Sequence, residues 1–195
     1  MFWGDKIMYF LIAGVVLFFS THLYSSFRSR VPGQDIRVRL GSAKFMGLYS
    51  LVSGAGFALM IWGYGLARPS ELMFSPPEWG RHVTLALMLP AFILLVAAYG
   101  PRGYLKQILK HPMLYAVILW AAAHLVANGE FNSAVLFGSF LAYALLNRIT
   151  VSNRERPVKR VTIFGDIHAI LVGALLYWLM IKYLHPMLIG VPVVG

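Results

Sequence analysis

Long apolar runs separated by short polar linkers occupy the chain from end to end. A helix needs about 20 apolar residues to cross a bilayer. Six runs have this character, and the expected helices cover 7–27, 45–67, 83–100, 112–128, 131–149 and 161–184. Only Gly129 and Glu130 separate the fourth run from the fifth, which predicts a tight antiparallel hairpin. The pattern predicts an all-α integral membrane protein, a six-transmembrane-helix bundle that forms one domain over 1–195.

Composition agrees with a membrane protein and narrows the possible chemistry. Of the 195 residues, 59% are hydrophobic and 12% are charged, which is about half the charge of an ordinary soluble domain. The net charge of +10 does not indicate nucleic acid, because the basic residues lie between apolar runs, where membrane proteins carry them. The chain has no cysteine, which excludes disulfides, iron–sulfur clusters and thiolate ligands.

The basic residues also predict an orientation, because cytoplasmic loops carry an excess of Lys and Arg. Thirteen fall on one side, namely Arg28, Arg30, Arg37, Arg39, Lys44, Arg102, Lys106, Lys110, Arg148, Arg154, Arg156, Lys159 and Arg160. Only four fall on the other, namely Lys6, Arg68, Arg81 and Lys182. We therefore expect both termini to lie outside the cytoplasm.

Histidines are the strongest candidates for chemistry, because an ionisable side chain inside a membrane is costly and needs a partner or a function. His22 and His124 each lie six residues inside a charged boundary, which corresponds to a depth of about 9 Å. They could coordinate one iron of a strongly tilted macrocycle, or each could form a hydrogen bond across a helix interface. His168 could pair with a neighbouring helix, while His82 and His185 are expected at interfacial water.

The surroundings of His124 permit both interpretations. Val117, Ala121, His124 and Asn128 share one stripe of the fourth helix. The small residues at 121–123 would leave space for a flat ligand, or would let two helices approach closely.

Other chemistries are less favoured by the residues present. The seven Asp and Glu residues lie mostly in linkers, which disfavours a carboxylate metal site or a paired-acid hydrolase. The segment SGAGF in the second run has no strand before it, so it is interpreted as a packing patch and not as a nucleotide loop. Ser20, Thr21, Ser50 and Ser53 are expected to form hydrogen bonds between helices.

Several segments together resemble the NnrU family of bacterial membrane proteins: FFSTHLYSSFRSR, GSAKFMGLYSLVSGAGFALMIWGYG, HPMLYAVILWAAAHLVANG, LFGSFLAYALLNRI and the terminal HPMLIGVPV. This family is linked to nitrite and nitric oxide metabolism in denitrifying bacteria. It is similar to the plant zeta-carotene isomerase, a haem-dependent membrane enzyme that isomerises a cis double bond. The resemblance implies a multi-pass protein of the bacterial inner membrane. In that membrane, the side predicted from the basic residues to hold both termini is the periplasm.

The resemblance also implies a site. The isomerase's haem ligands correspond by motif to His22 and His124, with haem b as the cofactor. His168 is the alternative second ligand, because it lies at a depth similar to that of His22 if one of the two helices is shifted by a turn. Each imidazole needs an acceptor for its other N–H, and for His22 we expect a carbonyl near Phe18 or the Ser53 hydroxyl. His111 is the histidine of the HP pair and would anchor the start of its helix near an anionic group such as a haem propionate. Trp120 and Asn128 complete the residues expected at the cofactor. Pro112 suits a first helical turn, where its missing N–H costs nothing.

Three functions remain open at this stage. The first is a haem-b-binding protein of nitrogen-oxide respiration, with the lipid bilayer and respiratory components as partners. The second is a haem-dependent cis–trans isomerase of a polyene lipid. The third is a cofactor-free assembly protein, or a membrane methyltransferase suggested by the HPMLYAVILW segment.

Overall fold

Helices make up nearly all of the regular structure. The computed structural model describes residues 3–31, 33–151 and 160–193, with side chains from residue 8 onward. Its helices are α1 Trp3–Phe27, α2 Ile36–Leu40, α3 Ser42–Leu66, α4 Gly80–Tyr99, α5 Tyr104–Leu109, α6 Pro112–Ala127, α7 Phe131–Val151, α8 Ile163–Leu179 and α9 His185–Ile189. A π turn at Met180–Leu184 joins α8 to α9. Within the described residues no strand forms, and the one isolated bridge pairs Leu72 with Glu130.

Five helical segments are long and apolar enough to cross a membrane. They are Met8–Phe27, Ser42–Leu66, Gly80–Tyr99, Phe131–Val151 and Ile163–Ile189. The sixth predicted run forms α6, which is apolar but has only 16 residues. The all-helical, multi-pass architecture is therefore confirmed, while six spans and the orientation of the termini stay predictions.

Two short helices lie in the linkers and were not predicted. Helix α2 lies in the linker after α1, and α5 connects α4 to α6. The last run also continues past its expected end at residue 184, through the π turn to Ile189.

The chain divides into two compact units. Unit 1 contains Met1–Ser75 and Asn128–Thr150, and so holds α1, α2, α3 and nearly all of α7. Unit 2 contains Pro76–Ala127 and Val151–Gly195, and so holds α4, α5, α6, α8 and α9.

In unit 1, glycines let α1 and α3 approach until their backbones touch. A Cβ atom built on Gly14 would lie 2.5 Å from the Met60 nitrogen, and one built on Gly56 would lie 2.7 Å from the Phe18 nitrogen. Gly54 has open space at the same position. The SGAGF segment is thus a packing patch, as predicted, and of its two glycines Gly56 is the buried one.

In unit 2, α4 packs against both α6 and α8. The Thr84 hydroxyl donates to the Ala123 carbonyl of α6 over 2.8 Å, and the Tyr177 hydroxyl of α8 donates to the Leu85 carbonyl over 3.0 Å. Close contact of α8 with α4 depends on Gly173, where a Cβ would lie 2.7 Å from the Ile93 Cα.

A buried carboxylate ties α5 to α8 within the same unit. Asp166 accepts hydrogen bonds from the backbone N–H groups of Tyr104 and Leu105, at 2.8 and 3.0 Å. These N–H groups belong to the first turn of α5, where no carbonyl of the helix can reach them. The Asp166 side chain therefore caps a helix that is remote in sequence and holds it against α8.

Candidate functional site

His22 is fixed on α1 by the carbonyl one turn before it. Its Nδ1 atom lies 2.8 Å from the Phe18 carbonyl oxygen, which confirms the acceptor expected near Phe18. A carbonyl can only accept, so Nδ1 carries the proton and Nε2 of the neutral ring carries the lone pair. The alternative acceptor considered for this ring, Ser53, is instead 3.1 Å from the Thr21 hydroxyl.

Three aromatic rings of unit 1 surround the imidazole of His22. Phe18 stacks on it with ring centres 4.0 Å apart and an interplanar angle of 28°. Tyr49 of α3 lies 5.3 Å away, and Tyr143 of α7 meets the ring edge-on at 5.7 Å and 85°. Three helices therefore converge on this one histidine.

A chain of polar side chains continues from this aromatic group. The Ser26 hydroxyl donates to Oδ1 of Asn147 at 3.3 Å, and Nδ2 of Asn147 donates to the Tyr143 hydroxyl at 3.0 Å. The Tyr143 ring is therefore held in place beside His22. Sequence reasoning missed Asn147 and both tyrosines, although a polar Asn in an apolar run was an available signal.

His124 has the same local arrangement in unit 2. Its Nδ1 lies 2.8 Å from the Trp120 carbonyl oxygen, four residues earlier on α6. The two rings of these residues are 5.3 Å apart and tilted by 49°. The proton again belongs on Nδ1, and Nε2 carries the lone pair that a metal ligand needs. The structure therefore places Trp120 beside His124.

The alanines next to His124 are covered. Ala121 and Ala123 have no exposed surface, and the Ala123 carbonyl accepts the hydrogen bond from Thr84 of α4. At Ala123 the small side chain thus serves close helix packing, one of the two interpretations left open. His124 is one residue further along, about 100° around the helix. Asn128 lies just beyond Ala127, the last residue of α6.

The remaining histidines occupy different settings. His111 lies directly before Pro112, which begins α6 as predicted, and its carbonyl accepts from the Leu114 N–H at 3.0 Å. His168 faces Gly100, and its buried Nδ1 has no hydrogen-bond partner in the described part of the chain. Nδ1 of His185 lies 2.8 Å from the Val191 carbonyl oxygen.

No cluster of three or more His, Cys, Asp or Glu side chains that could hold a metal ion occurs within residues 3–31, 33–151 and 160–193. A haem iron takes four ligands from its porphyrin and at most two from the protein, so it needs no such cluster.

Membrane-length apolar helices and two histidines anchored by their own helix carbonyls define a multi-pass helical membrane protein with candidate ligand histidines. Within that class, the chain belongs to the NnrU family, because the family model described as NnrU protein matches residues 10–193. No curated protein and no solved structure matches the chain.

Proposed function

We propose that the chain binds haem b and that Nε2 of His22 and Nε2 of His124 are its axial ligands. The observation that carries this proposal is the arrangement shared by the two histidines. Each Nδ1 lies 2.8 Å from the carbonyl four residues earlier, Phe18 in one case and Trp120 in the other. Histidines that bind metals almost always donate their other ring N–H in this way, which fixes the ring and its tautomer.

The residues around His22 suit a flat, largely apolar cofactor. Phe18 and Tyr143 present aromatic surfaces in contact with the imidazole, and Tyr49 adds a third ring from α3. The hydrogen bond from Asn147 fixes the Tyr143 hydroxyl, so this phenol would keep its position whether or not a ligand is bound. The chain has no cysteine to compete as a ligand.

The same criterion ranks His168 below His124 as the second ligand. Its Nδ1 makes no hydrogen bond within the described residues, so this ring lacks the carbonyl support that the other two share. His111 lies at the start of α6 and would meet an anionic group of the cofactor without coordinating iron.

Bound haem b would supply a one-electron iron couple inside the membrane. We place this activity in nitrite and nitric oxide metabolism, in the inner membrane of a bacterium, in accordance with what the family resemblance implies. His22 and His124 would hold the iron six-coordinate and low-spin in both oxidation states, and the carbonyls of Phe18 and Trp120 would keep both imidazoles in the binding tautomer.

The test is an absorption spectrum of the full-length protein purified with haem present, oxidised and reduced. We expect a low-spin spectrum in the wild type and its loss in both His22→Ala and His124→Ala. His82→Ala is the matched control, since it removes an exposed histidine of α4 and should keep the spectrum. Retention in His124→Ala with loss in His168→Ala would move the second ligand to His168. A wild type that retains no haem would refute the proposal.

The holoprotein also separates the two haem-based functions. A change of its spectrum with nitric oxide, without turnover of a cis-polyene lipid, supports the respiratory role. Conversion of the polyene, followed by chromatography of its isomers and abolished in His22→Ala, would favour the isomerase.

A further inference from the structure

The segment from Arg28 to Lys44 belongs to unit 1 and comprises the linker after α1, helix α2 and the first residues of α3. We refer to it as the basic strap; Pro32 lies outside the described residues. Asp35 caps α2 by accepting from the Arg37 N–H at 2.9 Å, and it forms an ion pair with Arg28. This guanidinium also lies 5.7 Å from the ring centre of Phe45. It holds the pKa of the Asp35 carboxyl below its ordinary value, so the pair is ionised at neutral pH.

The positive charge of the strap exceeds its negative charge. It contains five basic residues and one acidic residue, Asp35, which is already paired with Arg28. The other four, Arg30, Arg37, Arg39 and Lys44, are exposed and form no ion pair among the described residues. Arg37 donates to the Ser42 hydroxyl at 3.0 Å, a contact that leaves its charge uncompensated.

Apolar side chains are exposed between these cations. Val38 of α2 is 71% exposed and Leu40 is 42% exposed, although both lie beside arginines. The strap connects the end of α1 at Phe27 with the start of α3 at Ser42, and both helices are long enough to span a membrane. It therefore lies where the polar headgroups of the bilayer are.

We propose that the basic strap binds the headgroups of anionic phospholipids, with Val38 and Leu40 inserted at the boundary with the acyl chains. Exposed cations next to exposed aliphatic side chains match this boundary, where a short amphipathic segment gains both from apolar burial and from attraction to anionic lipid. Because Asp35 is paired with Arg28, no acidic side chain of the strap opposes that attraction.

Binding can be measured on the full-length protein in neutral detergent, titrated with a soluble short-chain phosphatidylglycerol and, separately, with the phosphatidylcholine of the same chain length. The test variant is Arg30→Gln/Arg39→Gln, which removes two exposed charges whose side chains form no hydrogen bond among the described residues. The matched control is Arg81→Gln/Lys182→Gln, which removes two exposed charges outside the strap, one in the first turn of α4 and one in the π turn. Unfolding midpoints of all three proteins confirm that each is folded.

We expect phosphatidylglycerol to bind more tightly than phosphatidylcholine, and the strap variant to lose roughly tenfold or more of that affinity, because each basic side chain near an anionic surface contributes about fivefold. The control variant should bind like the wild type. Equal losses in both variants would show a general effect of net charge and overturn the proposal. Equal binding of the two lipids would overturn it as well, as would displacement of phosphatidylglycerol by millimolar inorganic phosphate.

Discussion

Two glycines of α3, Gly54 and Gly56, allow a test of how unit 1 is held together. Replacing either of them by alanine adds one methyl group to the helix. In Gly56→Ala, the new Cβ would lie 2.7 Å from the Phe18 nitrogen and 3.2 Å from the Gly14 carbonyl oxygen. Both are backbone atoms, so no side chain can rotate away, and α1 must separate from α3. In Gly54→Ala, the new Cβ has no atom within 4 Å.

The two variants share the gain in helix propensity, which is about 0.5–1 kcal/mol for replacing Gly by Ala within a helix. Their difference therefore isolates the steric cost, which for an overpacked interface is about 1–3 kcal/mol. We expect Gly54→Ala to be at least as stable as the wild type and Gly56→Ala to be less stable than Gly54→Ala by that amount.

The assay is the free energy of unfolding in mixed micelles titrated with sodium dodecyl sulfate, followed by circular dichroism and by tryptophan fluorescence. Equal stabilities of the two alanine variants would refute the reasoning, because they would mean that α1 and α3 do not touch at Gly56. Larger replacements, Gly54→Val and Gly56→Val, should widen the gap, since only the second adds further atoms to a filled space.

Three further predictions concern the orientation of the chain, the role of His111 and the ion pair of Asp35. A reporter that is active only in the cytoplasm, fused after Gly195, should be silent, and strong activity would reverse the predicted orientation. His111→Ala should weaken haem retention yet keep the low-spin spectrum, and complete loss of that spectrum would make His111 a ligand. Asp35→Asn keeps a side chain that can cap α2 but loses the ion pair with Arg28. Because the pKa of Asp35 is lowered in the folded protein, its stabilisation is present above the ordinary carboxyl pKa of about 3.9 and is lost as the pH falls below it. The unfolding midpoints of wild type and Asp35→Asn should differ at pH 7 and approach each other as the pH is lowered below the ordinary carboxyl pKa, and a difference that stays constant would contradict the role of the ion pair.

The spans were predictable because apolar runs of about 20 residues have few alternatives to a helix in a membrane. Helices α2 and α5 were not predictable in this way, since each is too short to show periodicity and depends on an acidic cap. For α5 that cap is Asp166, some 60 residues away along the chain, and no local pattern signals it.

At the candidate site, the supporting carbonyl of His22 could be predicted because it follows from helix geometry alone, as the confirmed contact with Phe18 shows. Asn147 stands out as a polar residue in an apolar run, but its contact with Tyr143 could not be predicted. The positions of Tyr49 and Tyr143 beside His22 could not be predicted either, because they depend on how α3 and α7 rotate against α1. The covered state of Ala123 likewise depends on Thr84, which belongs to a different helix.

The π turn between α8 and α9 changes which residue continues the face of α8 that packs against α4. In this turn the His185 N–H reaches the Met180 carbonyl, five residues back, so one more residue is used than in an α-helical turn. If the helix were regular, Leu184 would lie on the face of α8 that carries Gly173 and Tyr177, about two turns after Tyr177. The extra residue puts His185 at that position instead. Deleting one residue of Met180–Leu184 would remove the extra residue and leave His185 at that position in a regular helix, whereas a regular helix through the full segment would put Leu184 there.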